Sequence, residues 1–442
     1  MAVRSLVLLA AFVSTRPAGP GMAAHAADAP ATPLVFPGHT IEDIRAHWQA
    51  AKPTHQGDPF TVLSSTEPPY AAGALASTFL DDGLRALNFV RYLAGLPDDL
   101  ALDSTANKQT QHGAVVLAKL GKITHAPTQP VEMPDDFFKI GKAACGCSST
   151  AGGCATLVDA VRMWTADYGN LPHLGHRRWV LYPPMQRTGL GFCEGYALMK
   201  TFGLPERADA DAWPYAAIPW PSAGPFPIQW WDAGETWSVF LNPNRCRPGG
   251  EETVSLKRLS DGRTWLLTRA DRDPQQRYLA ASTAPFGWPH CLAFRITAAD
   301  VRVMPGEAYQ VELQGLQAHD GKPLTLTWRT EFCSLGAGLT GTRLLRSPGT
   351  PEGKPTLTFV FSSDMPITSI SWRLFWILGD GSGRYYTLSS GDVGPLTAGE
   401  QMLTLPISME LPKEKAGAVY ELDYTVADQY NASSYHVTLP VQ

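Results

Sequence analysis

The chain has 442 residues, a length at which two or three domains are expected instead of one. Hydrophobic residues make up 44% and charged residues 17% of the sequence, which is typical of a globular protein and excludes a disordered one. The formal net charge of -5 gives no electrostatic reason to expect nucleic acid or an anionic membrane as a partner. We therefore exclude both.

The N-terminus has the pattern of an export signal. Arg4 stands near the start, an apolar run follows from Leu6 to Val13, and Ala24 and Ala26 make a small-x-small cleavage site. The run is too short to cross a bilayer, and no other segment approaches the ~20 apolar residues that a span needs. We predict a signal peptide over residues 1–26 and a secreted or periplasmic protein that is not integral to a membrane.

The next segments change from an extended to a helical pattern. Residues 27–78 are rich in proline and alanine, which predicts an N-terminal arm with one helix from Ile41 to Ala51. Helical spacing of apolar residues begins at Phe79, and a second helix is predicted from Asp103 to Gly121. A third helix carries an i, i+4, i+7 apolar stripe formed by Leu157, Val161 and Trp164.

After Lys200 the pattern becomes that of a β protein. Prolines between Trp213 and Pro227 predict a linker, since proline cannot continue a helix or a central strand. From Thr236 onward, short β-branched and aromatic runs are separated by turn residues. We predict one β-sandwich over residues 201–335 and a second, of immunoglobulin-like size, over residues 336–442.

Seven cysteines are compatible with an exported protein. Cys145, Cys147 and Cys154 surround a loop rich in glycine and serine, where a local disulfide or a set of thiolate metal ligands are the alternatives. The spacing favours the disulfide. Cys246 and Cys291 form a second predicted bridge, and the odd total leaves at least one thiol outside such a pair.

The segment from Leu171 to Trp179 contains two histidines that lie three residues apart. If a helix starts here, His173 and His176 point toward one face. Together with His125 and Asp167 they would supply the nitrogen and oxygen ligands of zinc or another divalent metal. Two alternatives remain open, namely proton transfer by a histidine–acid pair and purely structural hydrogen bonds.

Three further residues are candidates for the lining of the same cleft. Trp164 would provide an aromatic wall, although aromatic residues at helical spacing more often belong to the core. Arg177 would steer an anionic ligand or would instead form an ion pair or a stacked contact. Ser149 belongs to a polar loop that resembles an anion-binding loop only poorly, because the phosphate-loop pattern is absent.

A family resemblance joins these elements. Its motifs are, in chain order, Asn88-Phe89-Val90-Arg91, Gln111 and Ala114, His125, Trp164 and Asp167, Gly175-His176-Arg177, and Gly189-Leu190-Gly191. Over residues 79 to 195 they resemble the CAP superfamily, also called SCP or PR-1/antigen 5 domains, in a bacterial variant. The resemblance implies an α+β protein, with a three-layer α-β-α sandwich over residues 79–200 before the two β-sandwich domains.

The resemblance also implies roles for particular residues. His125 and His176 match the two cleft histidines of the family, and Asp167 matches the acid on its third helix. The second family acid has no counterpart, since the region from Lys142 to Ser149 contains no carboxylate. His173 would then serve as an accessory ligand.

Two functions follow as expectations. The first is a non-enzymatic extracellular module whose histidine-lined cleft binds a small molecule, a lipid, a peptide or a cell-wall polymer. The second is a metal-dependent hydrolase or peptidase that uses His125, Asp167 and His176. The missing acid favours the first, so zinc is an alternative and not a requirement.

Overall fold

The computed structural model describes residue 36 and residues 38–208, 213–347, 356–377, 384–407, 419–428 and 432–439. The predicted signal peptide, residues 1–26, lies outside this part of the chain. Within it, no helix combines the length and the apolar character that a membrane crossing requires.

The helices begin and end where the sequence supplies capping groups. Thr40 starts the first helix with a capping box completed by Asp43, and Thr156 starts the fifth in the same way with Asp159. Gly121, at φ 61°, ends the third helix in the left-handed region. The six described helices are α1 Ile41–Ala51, α2 Ser77–Leu93, α3 Ser104–Leu120, α4 Asp135–Gly146, α5 Leu157–Ala166 and α6 Gly175–Val180.

Short strands accompany these helices. A three-stranded antiparallel sheet has the order β4-β7-β6, and α3 packs on β6 and β7. Gly191 permits this contact, because a Cβ atom there would lie 2.3 Å from the carbonyl carbon of Thr110. The strands are β1 Phe60–Val62, β2 Ala74–Leu75, β3 Ala101–Leu102, β4 Ser148–Gly152, β5 Arg187–Thr188, β6 Leu190–Cys193 and β7 Tyr196–Lys200.

The first β-sandwich follows the helical part. One sheet has the order β13-β14-β10-β8, and the other has the order β12-β11-β15-β16-β9. Its strands are β8 Ala217–Trp220, β9 Gly224–Pro227, β10 Trp237–Leu241, β11 Cys246–Arg258, β12 Thr264–Thr268, β13 Tyr278–Ser282, β14 His290–Arg295, β15 Ala308–Ala318 and β16 Pro323–Cys333. The predicted proline linker thus contains two strands. Both lie at sheet edges. Proline is tolerated there because it has no N–H group to donate and the outer side of an edge strand has no partner strand that needs one.

Seven antiparallel strands make up the described residues of the second β-sandwich. A sheet of order β17-β18-β21 and a sheet of order β20-β19-β22-β23 share one hydrophobic core. The strands are β17 Leu339–Ser347, β18 Thr356–Ser363, β19 Ser369–Ile377, β20 Tyr385–Val393, β21 Gly399–Pro406, β22 Val419–Ala427 and β23 Ala432–Leu439. Seven strands in about a hundred residues make this an immunoglobulin-like sandwich.

The buried side chains form two main cores. The larger includes residues from Ile44 to Leu335, so the helices and the first sandwich share it. The smaller runs from Ala337 to Val426 within the second sandwich. The predicted domain boundaries at residues 200 and 335 stay predictions, but the two parts on either side of residue 200 are packed into one core.

The predicted fold class is wrong. Strand accounts for 40% and helix for 22% of the structure, so the chain is mostly β and is not an α-β-α sandwich of the CAP type. That prediction rested on the resemblance to the CAP superfamily. The sheet beside the helices has only three short strands, whereas most of the strand content lies in the two sandwiches.

The predicted disulfides are also absent. All seven cysteines are free, and those of the first predicted bridge have polar neighbours of their own. Cys154 donates from Sγ to the carbonyl oxygen of Gly195 at 3.1 Å, and Cys147 Sγ lies 2.8 Å from Nζ of Lys200. The segment before Cys147 is moreover the helix α4, which the sequence pattern did not predict and which contains Cys145.

Candidate functional site

A cleft of about 640 Å³ lies beside the end of α5. Its walls come from α5 and the loop after it, from β4, and from residues 228–235 before the first long strand of the sandwich. This volume falls within the range of small-molecule sites. Because α5 ends at Ala166 and the chain then reverses, the loop residues project side chains into the cleft.

Asp167 organises the polar end of the cleft. It follows α5 in the left-handed conformation, at φ 50°, and only 1% of its side chain is exposed. Its Oδ2 accepts hydrogen bonds from the backbone N–H groups of His176 and Arg177, at 3.0 and 3.2 Å, and thereby caps α6. Its Oδ1 accepts from Nδ1 of His176 at 2.8 Å and from the amide of Asn170 at 3.2 Å.

The two predicted site histidines are held in a similar way, although only His176 lines the cleft. Nδ1 of His176 donates to Asp167, and Nδ1 of His125 donates to the carbonyl oxygen of Cys145 at 2.9 Å. In each neutral ring Nε2 is then the acceptor nitrogen. The ring centroids lie 6.3 Å apart, and His176 keeps a quarter of its side chain exposed. The structure therefore brings together His125, Asp167 and His176.

The remaining predicted site residues lie in different places, and not all of them line the cleft. His173 lies elsewhere, with Nδ1 at 2.8 Å from Oγ of Ser282 and its ring beside Phe286. Trp164 lines the cleft but is 1% exposed. Ser149 is buried in β4, and its hydroxyl makes no hydrogen bond.

Arg177 is a structural residue. Its guanidinium is fully buried and donates to the carbonyl oxygens of Ala166, at 2.8 Å, and Thr236, at 2.5 Å, and to Oγ of Ser238, at 3.0 Å. These bonds connect the end of α5 to the first sandwich. A buried guanidinium that is already satisfied cannot steer an anionic ligand from solution, so that alternative is wrong.

Sequence reasoning missed the wall contributed by the sandwich. Trp230, Trp231 and Glu235 all line the cleft, although they follow α5 by more than sixty residues. Oε1 of Glu235 accepts from the N–H of Asp232 at 3.0 Å, and Oε2 lies 3.6 Å from Nη2 of Arg177. Burial raises the pKa of Glu235 to about 8 in spite of the arginine. The adjacent Trp-Trp-Asp run was the one available indication in the sequence.

The arrangement does not fit a metal centre. Among the described residues, no group of three or more histidine, cysteine, aspartate or glutamate side chains is placed to hold an ion. Both carboxylate oxygens of Asp167 already accept protein N–H groups. That leaves Nε2 of His125 and of His176, whereas structural and catalytic zinc sites use three or four protein ligands.

Comparisons with known proteins identify no family for this chain. No family model and no curated protein match the chain. Among solved structures, the YadV chaperone is 10% identical with a TM-score of 0.15, and the match covers 51% of this chain and 100% of that one. A DUF4785 family protein from Legionella pneumophila is 9% identical with a TM-score of 0.19 over 55% of this chain and 64% of its own.

A third match has the same character. The β-glucuronidase of Parabacteroides merdae is 11% identical with a TM-score of 0.21, and the match covers 47% of this chain and 27% of the enzyme. Scores of this size assign neither a fold nor a function. The CAP resemblance therefore stays a prediction.

Proposed function

We propose that this protein is an exported, non-enzymatic binding module whose cleft beside α5 takes a small organic ligand or a short segment of an extracellular polymer. The observation that carries the proposal is the composition of the cleft. Indole rings of Trp230 and Trp231 form one side, and the oriented ring of His176 stands at the polar end. Apolar walls with a few fixed polar groups are typical of ligand sites.

The exposed rim offers a direct test. Tyr168 lines the cleft and is 58% exposed, so its removal should leave the core intact. We expect a Tyr168→Ala variant to bind any ligand of the cleft on the order of tenfold more weakly, since a buried aromatic contact contributes about 1.5 kcal/mol. Tyrosine and tryptophan fluorescence during titration with sugars, sterols and short peptides would measure it.

Tyr385→Ala is the matched control, because Tyr385 is 63% exposed on β20 of the second sandwich. The control should bind like the parent protein. If no compound in the panel binds, or if both variants bind equally well, the cleft is not a ligand site.

A hydrolase is the second candidate, and the His176–Asp167 pair favours it. A carboxylate that holds Nδ1–H of a histidine leaves Nε2 as a general base, as in metal-free acyl-transfer sites. Under this alternative, ester or peptide hydrolysis would be lost in His176→Asn. His173→Asn, three residues away and bonded to Ser282, would keep it.

The same assay separates the metal-dependent form. Turnover that survives a chelator would support proton transfer by the pair alone. Stoichiometric zinc with chelator-sensitive turnover would overturn the binding proposal and reinstate His125 and His176 as ligands.

A further inference from the structure

A second cavity continues the cleft along α5. It has a volume of about 370 Å³, and its apolar lining includes Trp48, Phe79 and Val158. Four residues line both cavities, namely Asp159, Arg162, Gln229 and Trp230. The two cavities therefore adjoin at these residues, and together they are called the groove below.

The junction between the cavities is polar. The guanidinium of Arg162 stands over the ring of Trp230, at 5.4 Å from its centroid. Asp159 accepts hydrogen bonds from Thr156 through Oδ2 alone. An acyl chain laid along the groove would remove water from both charged groups and offer no hydrogen bond in return, which is costly. The junction thus selects against a lipid tail.

The charges of the groove select against ions. Four carboxyl groups line the first cavity. Glu235 keeps its proton below about pH 8, so three negative charges remain there, opposed only by Arg162 and His176, and an anionic ligand is repelled. Three of these carboxyl groups also accept hydrogen bonds from the protein and therefore do not require a cation. Asp232 accepts from the N–H of Gly234 at 2.7 Å, Glu235 accepts from Asp232, and Asp167 is saturated by its neighbours. An uncharged ligand fits best.

We propose, on the basis of the binding function above, that the groove binds an uncharged oligosaccharide that spans both cavities. Sugar rings have apolar faces that stack on aromatic side chains and edges of hydroxyl groups that hydrogen-bond to planar polar groups. The groove offers aromatic side chains in each cavity and polar side chains at the junction between them. Tyr168 serves the first cavity and Trp48 the second, while Asp159 and Arg162 take the hydroxyls between them.

The length of the ligand tests the proposal. The full chain is titrated with uncharged chito-oligosaccharides and cello-oligosaccharides, from the disaccharide to the hexasaccharide, by calorimetry. We expect at least one series to bind on the order of tenfold more tightly at the hexasaccharide than at the disaccharide, since the longer ligand fills both cavities.

Two variants locate the effect. Val158→Trp fills the second cavity and should abolish the gain with length while disaccharide binding is retained. Val62→Trp, the same change at a 60% exposed position on β1, should leave the gain unchanged. If Val158→Trp does not fold, the exposed Arg162→Ala should weaken the hexasaccharide several-fold, with Arg187→Ala on β5 as its control.

The outcomes separate the two proposals. If a small ligand binds in a Tyr168-dependent way but no oligosaccharide gains with length, the groove proposal fails and the binding function stands. The same holds if peptides or acyl chains, and not sugars, gain with length. If nothing binds, both proposals fail.

Discussion

At the residue scale, this protein satisfies buried arginines with backbone carbonyl oxygens. Arg91 donates to Pro97 at 2.8 Å, to Val180 at 3.1 Å and to Tyr182 at 2.8 Å. Arg178 likewise donates to carbonyl oxygens of the first sandwich. A planar guanidinium suits this role because its N–H groups diverge toward several chain segments. The arginines beside His176 therefore hold neighbouring segments together and do not line the cleft.

The raised pKa of Glu235 should make the stability of the protein depend on pH. Its folded pKa of about 8 lies above the ordinary 4.5, so below pH 4.5 the carboxyl is protonated in both states and burial costs nothing. Between pH 4.5 and 8 the unfolded chain releases the proton while the folded chain keeps it, and the free energy of unfolding falls. Glu235→Gln removes this loss.

Urea unfolding of the parent and of Glu235→Gln at a series of pH values would measure the effect. The difference should grow in favour of glutamine as the pH rises, to about 5 kcal/mol above pH 8, because each unit of pKa shift is worth about 1.4 kcal/mol. Titrations elsewhere cancel in the difference. A difference that is flat, or that favours the parent at high pH, would contradict the prediction.

We expect substitutions of Asp167 to lower the free energy of unfolding by different amounts. Asp167→Asn keeps one acceptor oxygen and tolerates the left-handed conformation, so we expect a cost of about 1 kcal/mol. Asp167→Ala leaves the N–H groups of His176 and Arg177 without their acceptor and should cost about 3 kcal/mol. Chemical denaturation gives both values. Equal costs would mean that Asp167 does not cap α6.

At the element scale, close contact between α3 and β6 fixes the small sheet. Two glycines, at positions 189 and 191, alternate along the chain where it passes the helix. A Cβ atom at Gly189 would meet the backbone of Ala106 at 2.4 Å, as one at Gly191 would meet Thr110. Backbone atoms cannot rotate away, so these contacts are tolerated only without side chains.

Gly191→Ala should therefore cost more than an ordinary surface substitution, about 3 kcal/mol. Gly38→Ala is the matched control, because a Cβ atom there meets nothing within 4 Å. The thermal unfolding midpoint should fall in the first variant alone. An unchanged midpoint in Gly191→Ala would show that α3 and β6 can separate without cost.

At the scale of the whole molecule, the helices and the first sandwich are one packing unit. Leu87 of α2 and Leu292 of β14 are both fully buried in the larger core, whereas Leu374 of β19 is fully buried in the smaller one. Side chains that share a core lose their packing together. The number of cores, not the number of sequence patterns, should set the number of unfolding transitions.

Calorimetry of three variants tests this. Each leucine-to-alanine change should cost about 3 kcal/mol. Leu87→Ala and Leu292→Ala should lower the same transition, and Leu374→Ala should lower a different one. If Leu87→Ala and Leu292→Ala lower separate transitions, the chain unfolds at the boundary near residue 200 that the sequence suggested.

Much of the local structure could be predicted from the sequence. The helix over Ile41–Ala51 and the short strands after Thr236 are confirmed, because apolar periodicity and terminal residues are local properties. The helix α4 was missed, because Cys145 was placed at the edge of a loop rich in glycine and serine. The fold class was wrong because it followed from the resemblance to the CAP superfamily, whereas most of the strands lie in the two sandwiches.

The sequence by itself determined the local elements and the turn that sets Asp167 beside His176, since only eight residues separate them. Tertiary structure decided the rest of the site. It turned His173 toward Ser282 and brought Trp230, Trp231 and Glu235 into the wall of the cleft. No local pattern encodes such contacts, because they depend on the shared core that packs the helices against the sandwich.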